Sequence, residues 1–278
     1  MYMNYKIIAD SSANLYSFED VPFSYVPLKV YCDGKEFVDC IDQSPDLMLD
    51  FLRTTKERST TSCPNMQDWL DAFGDAEEIY VVAITAGLSG SYSAAEQAKA
   101  EYLELHPQAK IHTINSLSTG PEMALIIERL AALKKGGATF EETVKEIQSY
   151  TVKTKLAFCL KSLNNFARNG RVSPAKAKLV GTLGIRIVGR ASEEGTLQQQ
   201  ALCRGESKAL QGILAEMVAN GFCGGKVRIH HCRNEQAAKK LKELLLTHAP
   251  TAEIELRTCG TLCSYYAEEG GLLIGYET

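Results

Sequence analysis

IYVVAITAGLSGSYSAA, residues 79–95, is the stretch that decides the fold. Ile79–Thr85 is a continuous apolar run, the pattern of a short parallel strand covered on both faces. Gly87 and Gly90 let the chain turn sharply and bring backbone N–H groups to a surface. Ser89, Ser91 and Ser93 stand where helix caps stand. The alanines with Glu96, Gln97 and Lys99 then continue as a good helix. A helix start carries free N–H donors and partial positive charge, so this corner suits a carboxylate or a phosphate. A plain strand–helix corner with no ligand explains the same residues equally well.

The pattern repeats on both sides of this stretch. Tyr5–Ala9 reads as a strand ending in Asp10-Ser11-Ser12, polar groups at the strand edge where open α/β sheets bind ligands. Asp10 or Ser11 as a cap of the following turn is the plainer reading. Val26–Tyr31 predicts a second strand and Asp33-Gly34 a turn. Ser44-Pro45 opens a helix through Leu47, Met48, Phe51 and Leu52. Ser59–Pro64, STTSCP, is a hydroxyl cluster before a helix whose stripe is Met66, Trp69, Leu70 and Phe73. Pro64 belongs to its first turn, with Thr61 and Ser62 as its caps. A hydroxyl pair beside a second hydroxylated helix start is also a clamp for one carboxylate, through charge-assisted hydrogen bonds. Ile111–Asn115 is another strand, followed by an amphipathic helix from Pro121 to the Gly136-Gly137 stop. Thr139 and Glu142 form a capping box for the next helix. Strand and helix alternate throughout, the signature of a mostly parallel sheet in a three-layer domain, residues 1–153.

The second half has shorter, unevenly spaced strands. Candidates are Leu156–Leu160, Ile185–Val188, Thr196–Leu202, Val227–His231, Ile254–Arg257 and Leu272–Tyr276. Ser173-Pro174 opens a short basic helix, and Gly205 precedes a helix with Leu210, Ile213, Leu214 and Met217. This suits a smaller α+β domain with a mixed or antiparallel sheet, residues 154–278.

Bulk properties set the class. At 45% apolar and 23% charged residues, the 278-residue chain can bury a core without disulfide staples. No apolar run approaches transmembrane length, and MYMNYKIIAD goes straight into a strand without a secretory segment. A cytoplasmic protein without stable membrane insertion is expected. The nine cysteines are odd in number, scattered and without C-x-x-C, as in a reducing compartment. Cys259 with Cys263, or the run His230-His231-Cys232, matches no zinc spacing, so no metal is expected. Lys161–Lys208 carries nine basic residues against three acidic ones, in a chain of net charge −4. Such a patch meets phosphate or an acidic partner, or is only a solvated face. It has few aromatics to stack bases and no recognised reader motif, so nucleic acid is not expected.

Taken in order, several stretches resemble the DegV family, bacterial fatty-acid-binding proteins. They are IIADSSANL, VPLKVYCDG, TSCP, ITAGLSGSYSAA, SLNNFARNGRVS, GTLGIRI, ALCRGESKAL and LIGY, and they span nearly the whole chain. The resemblance implies a two-domain α/β protein with a long-chain fatty acid in a buried tunnel between the domains. It implies that hydroxyls of the TS-x-P loop and the LSG turn hold the carboxylate. Here those are Thr61, with Ser62, and Ser89, with the Gly90 backbone nearby. It implies an acyl-presenting, non-catalytic subunit whose partner is a separate ATP-dependent fatty acid kinase. Arg171 and Arg204 match family arginines assigned to the kinase partner or to the acyl phosphate. No cofactor beyond the bound fatty acid is implied.

The chain departs from that pattern at three places. Cys63 replaces a usual Gln, and Arg186-Ile187 replaces Lys-Pro. In the tail, YYAEEGG stands where the family has His followed by Gly-Pro-Gly, so Tyr266, or Tyr265 if the register shifts, takes the place of the His. A tyrosine hydroxyl still donates to a carboxylate but brings no positive charge. A lipid-binding paralogue without a kinase partner is therefore an alternative. A phosphate-binding small-molecule kinase is another, although G-x-x-x-x-G-K-[ST] is absent. GLSGS is near G-x-S-x-G, but no His or acid can be assigned to a Ser89 nucleophile.

Overall fold

The computed structural model describes residues 4–178 and 184–278. The GTLGIRI stretch therefore lies partly, at Gly181, Thr182 and Leu183, outside the described residues. The first half runs β1 (Tyr5–Asp10), β2 (Phe23–Val26), β3 (Lys29–Cys32), β4 (Lys35–Val38), α1 (Pro45–Thr54) and β5 (Ser59–Ser62). It continues with α2 (Met66–Phe73), β6 (Glu78–Ala83), α3 (Ser91–Leu105), β7 (Lys110–Asn115), α4 (Pro121–Lys135) and α5 (Phe140–Thr151). The second half opens with β8 (Thr154–Leu160), α6 (Asn164–Arg168), α7 (Pro174–Lys178), β9 (Ile185–Ala191) and β10 (Leu197–Arg204). It closes with α8 (Glu206–Ala219), β11 (Lys226–His231), α9 (Glu235–His248), β12 (Glu253–Thr258), α10 (Thr261–Ala267) and β13 (Leu272–Glu277).

β2, β1, β6 and β7 form a parallel sheet in that order. Both of its faces are covered, which is why its strands read as unbroken apolar runs. Ile7, Ala9, Tyr80 and Val82 pack with Met123, Ile126 and Ile147 of α4 and α5. Ile8, Ile79 and Val81 point the other way, onto Trp69, Phe73, Ala95 and Ala98 of α2 and α3. The first half thus has the three-layer parallel architecture expected from its alternation.

Three local expectations change. The strand expected over Val26–Tyr31 is two strands. Pro27 has no N–H to donate, so β2 pairs with β1 while β3 joins a small antiparallel sheet, β4-β3-β5. The Ser59–Ser62 hydroxyls are strand β5 rather than a cap. Asn65 caps α2, in a reciprocal box with Asp68, so Pro64 precedes the cap and is not in the first turn. The box expected at Thr139 and Glu142 is present at the start of α5.

The second half holds a mixed sheet in the order β10-β9-β8-β13-β11-β12. Only the β11–β12 pair is parallel. β8 alternates with period two. Ala157 and Cys159 enter the core under α8 and α9, whereas Leu156, Phe158 and Leu160 line the opposite face, which is turned to the first half. Two features fasten the halves. Arg228 on β11 forks onto the Glu128 carboxylate on α4, with both bonds at 2.7 Å. Helix α10, short and not foreseen in the sequence, sends Leu262 and Tyr265 into the core of the first half.

Candidate functional site

The Ile79–Ala95 corner is built on a buried carboxylate. One Asp10 oxygen accepts from the Ile84 N–H at 2.8 Å and the Ser91 hydroxyl at 2.7 Å. The other accepts from the Ser12 N–H and hydroxyl. Burial raises the Asp10 pKa, and these four donors work against that rise. Asp10 therefore ties the ends of β1 and β6 to the start of α3. Ser11 Oγ accepts from the Leu28 N–H at 2.9 Å. Asp10, Ser11 and Ser12 are spent on the scaffold and reach no open space.

The turn that follows differs from the expected serine cap. Gly90 is the residue before α3 and makes no side-chain cap bond. Ser91 is turned inward to Asp10, and Ser89 Oγ accepts from the Ser91 N–H at 3.3 Å. A Cβ on Gly90 would lie 3.2 Å from the Cys63 sulfur, so the end of β5 passes close against this turn.

Helix α10 supplies the third wall. The Tyr266 hydroxyl lies 2.8 Å from Thr61 Oγ1. Its ring packs on Phe166 of α6, centroids 4.6 Å apart, and edge-on against Tyr265. Tyr265 is fully buried and holds Ser59 Oγ at 2.7 Å and the Asn169 amide at 2.8 Å. Burial pushes the Tyr266 phenol up, with Thr61 and Arg171 pulling it partly back, so it stays a neutral donor at pH 7. Arg171 reaches the same place. Its Nε donates to the Leu88 carbonyl at 3.2 Å and its Nη1 to the Asn169 carbonyl at 2.7 Å.

These walls enclose a cavity of about 250 Å³ between the parallel sheet and the mixed sheet. Thr61, Ser62, Ser89, Gly90, Arg171 and Tyr266 all line it. Arg204 does not; it is exposed at the end of β10. The remaining lining is mostly apolar, with Leu28, Ile84, Leu156, Phe158, Leu160, Leu262 and Leu273 among it. Among the described residues that line it, Arg171 is the sole charged group, and none is Asp, Glu or His. The arrangement offers neutral hydroxyls and one guanidinium to an anion, and mostly apolar side chains to whatever the anion is attached to. Sequence reading missed Cys63 and the β8 residues as lining; the 156/158/160 alternation was the available signal.

The chain matches a family model described as the DegV family of uncharacterised proteins over residues 4–278. It belongs to the DegV family. A DegV domain-containing protein of Streptococcus pneumoniae is 42% identical over 99% of both chains. A DegV family protein from Eubacterium eligens, solved loaded with heptadecanoic acid, is 43% identical, with a TM-score of 0.96 over 99% of both chains. The Streptococcus pneumoniae Fatty Acid Kinase B3 protein, solved loaded with linoleic acid, is 42% identical, with a TM-score of 0.97 over 99% of both chains. The fold of this DegV chain is thus that of proteins solved with a fatty acid bound. Among the described residues, no helix is long and apolar enough to cross a membrane.

Proposed function

We propose that this DegV protein binds one long-chain fatty acid in the cavity between its two sheets and presents the carboxyl group to a separate ATP-dependent kinase. The observation that carries this reading is the division of the cavity lining. Hydroxyls of Thr61, Ser62, Ser89 and Tyr266 line the cavity together with Arg171, and most of the other lining residues are apolar. A carboxylate suits the first and an acyl chain the second, since each buried methylene is worth roughly 0.8 kcal/mol. The acyl chain then lies between two domains, residues 1–153 and 154–278. The protein itself performs no chemistry: its residues grip and orient, and the phosphoryl donor comes with the partner. Arg171 and, on the surface, Arg204 meet the partner or the acyl phosphate. The relatives loaded with heptadecanoic and linoleic acid support the ligand class, and the kinase named for one of them supports the partner. The nine free cysteines support a cytoplasmic setting.

Native mass spectrometry of the purified protein, before and after added palmitate or oleate, tests the ligand. One acyl adduct per chain is expected; a protein that carries none and takes up none overturns the reading. Mixing the loaded protein with ATP and a fatty acid kinase subunit tests the partner, with acyl phosphate expected only when all three are present. A second reading, a lipid carrier with no kinase, is favoured by Tyr266, which brings a neutral hydroxyl where the family resemblance leads one to expect His. Retained lipid with no acyl phosphate would select it.

A further inference from the structure

We propose that Gly189, which does not line the cavity, sets which acyl chains fit it by making room for the Phe158 ring against the sheet. This rests on the acyl-binding reading above. Phe158 and Gly189 are directly opposite partners in the antiparallel β8–β9 pair. Opposite partners send their side chains to the same face, here the face that lines the cavity. The ring occupies the space Gly189 leaves empty: a Cβ on Gly189 would lie 2.5 Å from Phe158 Cζ and 2.7 Å from Cε2. Real Cβ atoms essentially never stand so close, and of the atoms such a Cβ meets the ring is the one on a side chain, so a residue other than glycine pushes the ring off β9.

The displaced ring has one way to go. The opposite face of β8 is filled by Ala157 and Cys159 under α8. On its own face, Leu156, Phe158 and Leu160 all line the cavity. Phe158 is the middle of the three, spaced about 7 Å from each neighbour along the strand. Leu160 leads into α6, which carries Phe166 against Tyr266. Leu156 lies toward Thr154, whose hydroxyl bonds Glu122 on α4. A chain anchored beside Tyr266 therefore passes the Phe158 ring midway along its length. A ring pushed outward there blocks the distal part of the chain and leaves the head-group end untouched.

The test is a chain-length profile, read by displacement of a fluorescent fatty acid with decanoate, dodecanoate, palmitate and stearate. Gly189→Ala should weaken palmitate and stearate, about fourfold for each methylene displaced, while decanoate holds its affinity. The double variant Gly189→Ala with Phe158→Leu should restore the long acids. A Cβ at position 189 also meets the Gln198 carbonyl, at 2.4 Å, a backbone contact that strains the β9–β10 hairpin. Phe158→Trp therefore serves as an independent plug with the same expected shift, and Phe158→Leu as an independent widening that favours stearate. Wild-type profiles in both Phe158 variants, or an equal loss of all acids in Gly189→Ala with no rescue, would overturn the proposal. A wild-type protein that binds none of the acids would instead remove the acyl-binding reading itself.

Discussion

Thr61 Oγ1 on β5 and the Tyr266 hydroxyl on α10 lie 2.8 Å apart, although 205 residues separate them in the chain. Both line the cavity, so two hydroxyls from distant parts of the chain meet at one point of its wall. If Thr61, Tyr266 and Ser89 each turn a hydroxyl proton to a bound carboxylate, Thr61→Ala and Ser89→Ala each remove a charge-assisted hydrogen bond worth about 1.5–3 kcal/mol. Fatty-acid affinity, measured by displacement titration, should fall roughly tenfold to a hundredfold in each. Tyr266→Phe keeps the ring on Phe166 and removes only the hydroxyl. Combined with Thr61→Ala it should cost less than the sum of the two single losses, because the hydroxyls share a partner. Full additivity would mean that they act on separate groups.

The two arginines should part company. Arg171 lines the cavity and holds the Leu88 carbonyl just before Ser89. Its place in the lining suits it to a bound head group as well as to the proposed partner. Arg171→Ala should lower lipid retention as well as acyl-phosphate formation. Arg204→Ala, on the exposed end of β10, should leave retention unchanged and lower only transfer with the kinase present. Lipid retention after gel filtration and transfer from ATP are the two readouts. Loss of retention in Arg204→Ala would contradict the assignment.

Asp10→Asn tests the scaffold beneath the turn. The carboxylate accepts four hydrogen bonds. An amide must present its NH2 to one of the two pairs; the serine hydroxyl there can turn to accept, but the backbone N–H is left unsatisfied, at about 1–3 kcal/mol. Urea unfolding should show that loss, and lipid affinity should fall with it because Ser91 no longer fixes the start of α3. A variant as stable as wild type would mean that the corner does not depend on Asp10.

Glu122 gives a pH dependence. Burial among α4 and β8 pushes its carboxyl up to about 7 from the ordinary 4.5, with Ser118 and Thr154 pulling the other way. The folded state then binds a proton that the unfolded state releases between those values. Its contribution to stability is fully present below about pH 4.5 and is lost as pH rises through 7. Glu122→Gln keeps a partner for the Thr154 hydroxyl and cannot ionise. Its melting temperature relative to wild type should therefore rise from pH 5 to pH 8. A constant difference would place the charged form comfortably in the fold.

Much of this architecture was legible in the residues. The apolar run at Ile79 and the stops at Gly136-Gly137 follow from local chemistry, and so does the capping box at Thr139. They give the parallel sheet and its helices. Thr61, Ser62, Ser89 and Gly90 read as candidates for one clamp, and the structure places all four in the lining of one cavity. The rest of the cavity lining was not legible. β5 is a polar tetrapeptide held as a strand by pairing with β3, a tertiary cause that no local pattern carries. Helix α10, TLCSYYA, has almost every side chain buried, so it lacks the polar face that marks an amphipathic helix. The serine cap was misread because Asp10, seventy-four residues before Ile84 in the chain, draws Ser91 inward.

The most direct test is a crystal structure of the protein soaked or grown with oleate. The account predicts one acyl chain along the β8 face, with its carboxylate about 2.6–3.2 Å from Thr61 Oγ1, Ser89 and the Tyr266 hydroxyl. A head group lying away from these three, or oleate bound outside the cavity, would contradict it.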